Sequence, residues 1–162
     1  NVLGGTEETT TGGIRLRADM QQMVRRLKDA GWDVWVVSAS PRPVVEAVAE
    51  RYGIPPRRVL AVTPARVDGV LSDQVLEPVT YGRGKVAAIH RAIGRRPSLA
   101  FGNARTDFEM LVGARAAVLI DRGDRVLSSQ LEARGVLTQP QFPGEEPLSP
   151  CDIPESPAPP AP

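Results

Sequence analysis

Apolar residues recur along the chain in two distinct rhythms. Met20, Met23, Val24 and Leu27 follow the i, i+3, i+4, i+7 spacing of an amphipathic helix, which Gly31 stops. The run Asp33-Val34-Trp35-Val36-Val37 is short, β-rich and apolar, and predicts a buried strand ending at Ser38-Ala39-Ser40. Pro41 and Pro43 open a second helix carrying Val44, Val45, Val48 and Tyr52, closed by Gly53. Val59 to Val62 predicts another strand, and Asp68-Gly69 between Ala65-Arg66-Val67 and Val70-Leu71-Ser72 predicts a two-residue hairpin. A helix is expected from Gly84 to Ile93, a strand from Ser98 to Phe101, a strand from Ala116 to Ile120 and a helix from Val126 to Ala133. Thr106 and Glu109 have the spacing of a capping box opening a further helix.

Strands thus alternate with helices, which predicts an α/β fold with a mostly parallel sheet flanked by helices. The flanks differ. Residues 1–17 are Gly- and Thr-rich at their start and read as loop. Residues 18–138 form the core, and 9 of the 24 residues from Gln139 onward are proline, the composition of a disordered or extended tail.

Composition narrows the functional classes. The 162 residues carry a net charge of +1, which argues against a dedicated nucleic-acid binder. Residues 1–138 nevertheless hold 20 basic against 15 acidic side chains, a mildly basic surface that suits an anionic ligand. The single cysteine, Cys151, excludes a disulfide framework and a cysteine-based zinc site. No apolar run is long enough for a membrane span, and no signal peptide is visible, so a cytoplasmic location is the expectation. The first residue is Asn, and a longer or processed product is expected. Oligomeric state is not legible.

In parallel sheets the working residues lie just past the C-terminal ends of strands. Three segments there carry candidate chemistry. Ser38 follows an apolar strand, where a hydroxyl beside backbone N–H groups can meet a phosphate oxygen; taken alone, this segment favours a simple turn or N-cap residue. Lys85 stands in Gly82-Arg83-Gly84-Lys85 at a helix start, against the helix dipole, so a nearby anion would explain it, although in isolation an ordinary surface lysine is the favoured reading. A Walker A loop is excluded by Val79 and Val86. In Gly102-Asn103-Ala104-Arg105-Thr106-Asp107 a strand runs into an amide and a carboxylate, oxygen ligands that suit Mg²⁺. Asp107 reads equally as a stabiliser of the helix that follows. His90 has the pattern of a surface or packing residue, and Trp32 and Trp35 of packing residues.

The ordered set Val36-Val37-Ser38-Ala39-Ser40, Gly-Arg-Gly-Lys85 and Gly102 to Asp107 with Met110-Leu111 resembles the second, third and fourth motifs of the haloacid dehalogenase superfamily. Within it, the phosphoserine-phosphatase-like and phosphorylcholine-phosphatase-like branch is the nearest in pattern. The resemblance covers about residues 18–122 and implies a Rossmann-like core with a small β-hairpin insert. It implies a Mg²⁺-dependent phosphatase cleaving a small phosphorylated metabolite through an aspartyl-phosphate. Ser38 and Lys85 would be catalytic, Ser38, Ala39 and Lys85 would bind the substrate, and Asn103 and Asp107 would hold the metal.

Two departures accompany it. Asn103 stands where the superfamily usually has Asp. The first motif, a strand followed by Asp-x-Asp-x-Thr, has no counterpart: the chain contains no Asp-x-Asp, and the carboxylates of Asp121 and Asp124 are three apart and follow the fourth motif. The expectation is therefore a fragment lacking the N-terminal, nucleophile-bearing strand, with residues 1–17 as a cap remnant, and inactive by itself. The alternative is a non-catalytic module binding a phosphorylated ligand or a protein partner.

Overall fold

The computed structural model describes residues 16–140. The proposed cap remnant, apart from its last two residues, and the tail beyond Pro140 lie outside them. Helix α1 (Ala18–Asp29) leads to strand β1 (Val36–Pro41) and helix α2 (Arg42–Arg51). Strands β2 (Val59–Val67) and β3 (Val70–Leu76) form the hairpin, followed by α3 (Arg83–Ile93), β4 (Leu99–Gly102) and α4 (Phe108–Gly113). Strand β5 (Ala116–Asp121), α5 (Arg125–Glu132) and β6 (Leu137–Pro140) complete the described chain.

The strands form two three-stranded sheets rather than the single sheet expected. One has the order β1-β2-β3, with β1 parallel and β3 antiparallel to β2; the other, β4-β5-β6, is wholly parallel. Each sheet has its own core. Val24, Val45, Ala49, Ile54, Val59 and Ala61 pack around the first. The second gathers Ile89, Leu111, Leu119, Leu127 and Leu131 among others, and Val37 and Leu60 from the first sheet pack against it. The edges of β1 and β4 that face away from β2 and β5 carry no described strand. Between these strands lies an apolar groove of about 440 Å³, lined in part by Met23, Leu27, Val36, Ile93, Leu99 and Phe101.

Several local outcomes follow from pairing. Strand β1 begins at Val36 rather than Asp33, because its ladder partner begins at Val59. Asp33 instead pairs with Arg58 at 2.8 Å and accepts the Trp35 indole N–H at 2.8 Å, leaving Trp35 half-buried and Trp32 exposed. The Asp68-Gly69 turn has φ of +50° and +81°, the doubly left-handed conformation that fits strand twist. Strand β6 reaches into the segment assigned to the tail. Pro140 is tolerated there because β6 pairs only with β5 and lies at a sheet edge.

Leu131 is fully buried in the second core. Leu131→Ala should lower unfolding free energy by about 3 kcal/mol, since the lost contacts leave a cavity that close packing only partly refills. Urea unfolding followed by far-ultraviolet circular dichroism measures it.

Candidate active site

The site is assembled where the two sheets meet. Strand β1 ends in a bulge between Val37 and Pro41. There Ser38 is half-buried, its Oγ accepting from Ser40 N at 3.2 Å, and Ala39 is exposed. The Ser38 carbonyl is fixed from the other side by Thr80, whose buried hydroxyl donates to it.

Lys85 lies at the start of α3 and is only 4% exposed. Its Nζ donates to Val37 O at 3.3 Å and to Asp107 Oδ1 at 2.5 Å. One ammonium thus joins the end of β1 to the loop after β4. Its placement depends on a close approach: a Cβ at Gly84 would fall 1.7 Å from Val79 O, so that turn admits only glycine without shifting. Gly82 N donates to Thr106 O at 3.2 Å, tying the turn before α3 to the loop after β4.

Asp107 is buried and has both oxygens engaged. Oδ2 accepts from Asn103 N at 2.9 Å and from Ala104 N at 3.1 Å. The turn therefore opens at Arg105 and is held by Asp107, not by the Thr106–Glu109 pair expected from spacing. Gly102 makes room for it, since a Cβ there would lie 2.6 Å from Asp107 Cβ. Asn103 is exposed.

A second ion pair braces this loop. Arg105 Nε and Nη2 donate to Asp124 Oδ2 and Oδ1 at 2.7 and 3.0 Å, a two-pronged contact across to the β5–α5 loop. Asp124 also caps α5, accepting from Leu127 N at 3.1 Å. The Arg105 guanidinium, and next the Leu127 N–H, hold the Asp124 carboxyl below its usual 3.8. Apolar spacing singles out neither Asp124 as a cap nor Thr80. An Asp two positions before the apolar pair Val126-Leu127 is a visible cap signal; Thr80 carries none, because its partner is a backbone carbonyl 42 residues away.

The sequence-predicted residues are thus brought together unequally. Lys85 touches Asp107 directly and reaches the strand end at Val37, next to Ser38. Ala39 and Asn103 lie exposed at the rim, and His90 is exposed on α3. Among the described residues, no group of three or more His, Cys, Asp or Glu side chains could hold a metal ion. The Asp107 oxygens already serve an ammonium and two amides, and Asn103 adds no charge. As arranged, these residues do not fit a divalent cation.

Residues 6–112 match the haloacid dehalogenase-like hydrolase family. The chain belongs to that family. Members typically use Mg²⁺ and act on phosphorylated substrates. A Mycobacterium leprae protein named as a hydrolase is 28% identical over 127 residues, spanning 75% of this chain and 41% of that protein. Phosphoserine phosphatase SerB1 of Mycobacterium tuberculosis is 28% identical over 106 residues, 62% of this chain and 33% of its own length. The chain therefore spans well under half of these relatives. A conserved Anaerococcus prevotii protein of unknown function shares the fold, with a TM-score of 0.68 at 24% identity over 78% of this chain and 38% of that one. No described helix is long and apolar enough to cross a membrane.

Two outcomes are expected. Lys85→Met should destabilise the chain by about 3 kcal/mol, because it leaves a buried carboxylate unpaired, while Lys85→Met with Asp107→Leu should recover most of that loss; urea melts compare them. For Asp124, the depressed folded pKa means that its contribution is present above the unfolded value and fades as pH falls through the folded one. Asp124→Asn should flatten the acid limb of stability against pH relative to the unmodified chain, read from urea midpoints at descending pH.

Proposed function

We propose that this chain supplies part of the active site of a phosphatase that hydrolyses a small-molecule phosphomonoester. The observation that carries the reading is the Lys85 ammonium, buried between the end of β1 and Asp107. A fixed cation beside a strand-end serine is what a phosphoryl group needs, because stabilising charge on its oxygens is the main task in its transfer. Ser38 and the backbone at Ala39 bind the phosphoryl oxygens, and Lys85 offsets their charge.

The reaction needs a nucleophile that this chain does not contribute in that reading. A carboxylate oxygen attacks phosphorus, the alcohol departs with a proton, and water then cleaves the aspartyl-phosphate to release phosphate and regenerate the carboxylate. The groove between β1 and β4 supports a strand from elsewhere in the longer protein as the carrier of that aspartate. Both facing edges lack a described partner, and an apolar lining on both sides suits a strand buried on both faces. Asn103 and Asp107 are the metal-side residues of the complete site, with a further carboxylate needed to make them a cation seat. Phosphoserine and phosphocholine-type esters are the proposed substrates, the first also from the name of the Mycobacterium tuberculosis relative. The exposed Asn103 and the fully engaged Asp107 favour, as second reading, a module that binds phosphorylated ligands without turning them over.

The isolated chain should not turn over p-nitrophenyl phosphate in the presence of Mg²⁺. Clear turnover that disappears with Asp107→Ala defeats the missing-nucleophile argument. The longer protein should hydrolyse phosphoserine or phosphocholine and lose about 100-fold in kcat with Lys85→Ala; tight phosphate-ester binding without hydrolysis points to the binding module instead.

A further inference from the structure

Ser38 lies between two peptide units, and both are held from the same stretch of chain. The Val37 carbonyl accepts from Lys85 Nζ at 3.3 Å, and the Ser38 carbonyl accepts from the Thr80 hydroxyl. Peptide units are planar, so holding the two that flank a residue restrains its φ and ψ, and with them the direction of its side chain. Ser38 Oγ accepts from Ser40 N at 3.2 Å, which leaves its O–H to donate. The Ser38–Ala39 peptide is trans, so its N–H points opposite to its C=O. With that carbonyl turned toward Thr80, the Ala39 N–H is turned away from it. Ala39 is exposed and sits in the bulge, where the paired register passes from Val37 to Pro41. Thr80 is 1% exposed, and a β-branched side chain is stiff at χ1, so its hydroxyl is a short and rigid anchor.

We infer that Thr80 is a positioning residue: by holding the Ser38 carbonyl, it keeps the Ala39 N–H turned away from the buried hydroxyl as a donor for an oxyanion, with the Ser38 hydroxyl beside it. Thr80 itself touches no ligand. The strand ladder cannot replace this restraint, because its register skips the peptide concerned. Without the hydroxyl the bulge peptide is free to turn, and the apparent affinity for an oxyanion falls by the fraction of time it spends correctly turned. A peptide so turned about one-tenth of the time costs about tenfold. That the oxyanion is the phosphoryl group of a substrate rests on the phosphatase reading; the orientation of the Ser38–Ala39 peptide by Thr80 does not.

The test is titration of the chain with inorganic phosphate at constant ionic strength, followed by the Ala39 amide signal in proton–nitrogen NMR. In the unmodified chain that signal should move downfield and saturate. Thr80→Val keeps the shape but removes the donor, and should bind phosphate at least about tenfold more weakly; Thr80→Ser keeps the donor and should stay within about twofold. Circular dichroism melts establish that each variant is folded. A merely structural role for Thr80 would lower the melting temperature of Thr80→Val and leave the phosphate affinity of the folded chain unchanged, and that result overturns the inference. Equal losses in Thr80→Ser and Thr80→Val overturn it too. Should Thr80→Val fail to fold, the unmodified chain decides: a saturable shift of its Ala39 amide supports the inference, and an unmoved signal overturns it. Unchanged phosphate binding in Thr80→Val beside turnover by the longer protein sinks the role of Thr80 and leaves the phosphatase reading standing. Weakened binding in Thr80→Val beside no turnover does the reverse.

Discussion

The buried ion pair between Lys85 and Asp107 is the interaction on which the rest of the site depends. It brings two charges out of water, a cost repaid only by close geometry and by hydrogen bonds to their remaining atoms. Both conditions are met: the ammonium also reaches Val37 O, and the carboxylate also accepts two backbone amides. Because those partners come from β1, α3 and the loop after β4, the pair sets the relative position of the two sheets at their functional end. Glycines at 84 and 102 are required for the same reason, since any side chain there would collide with the backbone or with Asp107.

The helices and most strands were legible because their apolar spacing reports directly on which face is buried. Met20, Met23, Val24 and Leu27 are the inward side of α1, as the periodicity indicates. The Asp68-Gly69 turn was legible because its backbone conformation restricts residue type. The division into two sheets was not legible, since alternation of strands and helices says nothing about which edges find partners. Strand β1 was placed too early for a related reason: apolar character at Val34 does not supply a ladder partner. The order of the site segments along the chain could be read, but the role of Asp107 in closing its own turn could not, because its oxygens satisfy amides that carry no sequence signature.

Two cores rather than one give the chain an uneven interior. Val37 and Leu60 are the residues of the first sheet that pack against the second core. The groove between β1 and β4 is therefore bridged at the Lys85 end and open along the strands. Family membership places this arrangement among hydrolases whose curated relatives are more than twice as long as the matched portion. The basic balance of residues 1–138 and the single buried ammonium act at different ranges: the first favours approach of anions broadly, the second fixes one point where charge is offset.

Strand β2 serves two ladders in succession. Its first residues pair in parallel with β1, and from Thr63 onward it pairs antiparallel with β3. The projecting hairpin is thus the continuation of the rod that supports the Ser38 strand, not an appendage on a hinge. Its one irregularity lies between Pro64 and Arg66, where the register shifts. That shift falls on the same strand that pairs beside the Ser38-bearing β1, so the hairpin and the floor beneath Ser38 share one continuous backbone.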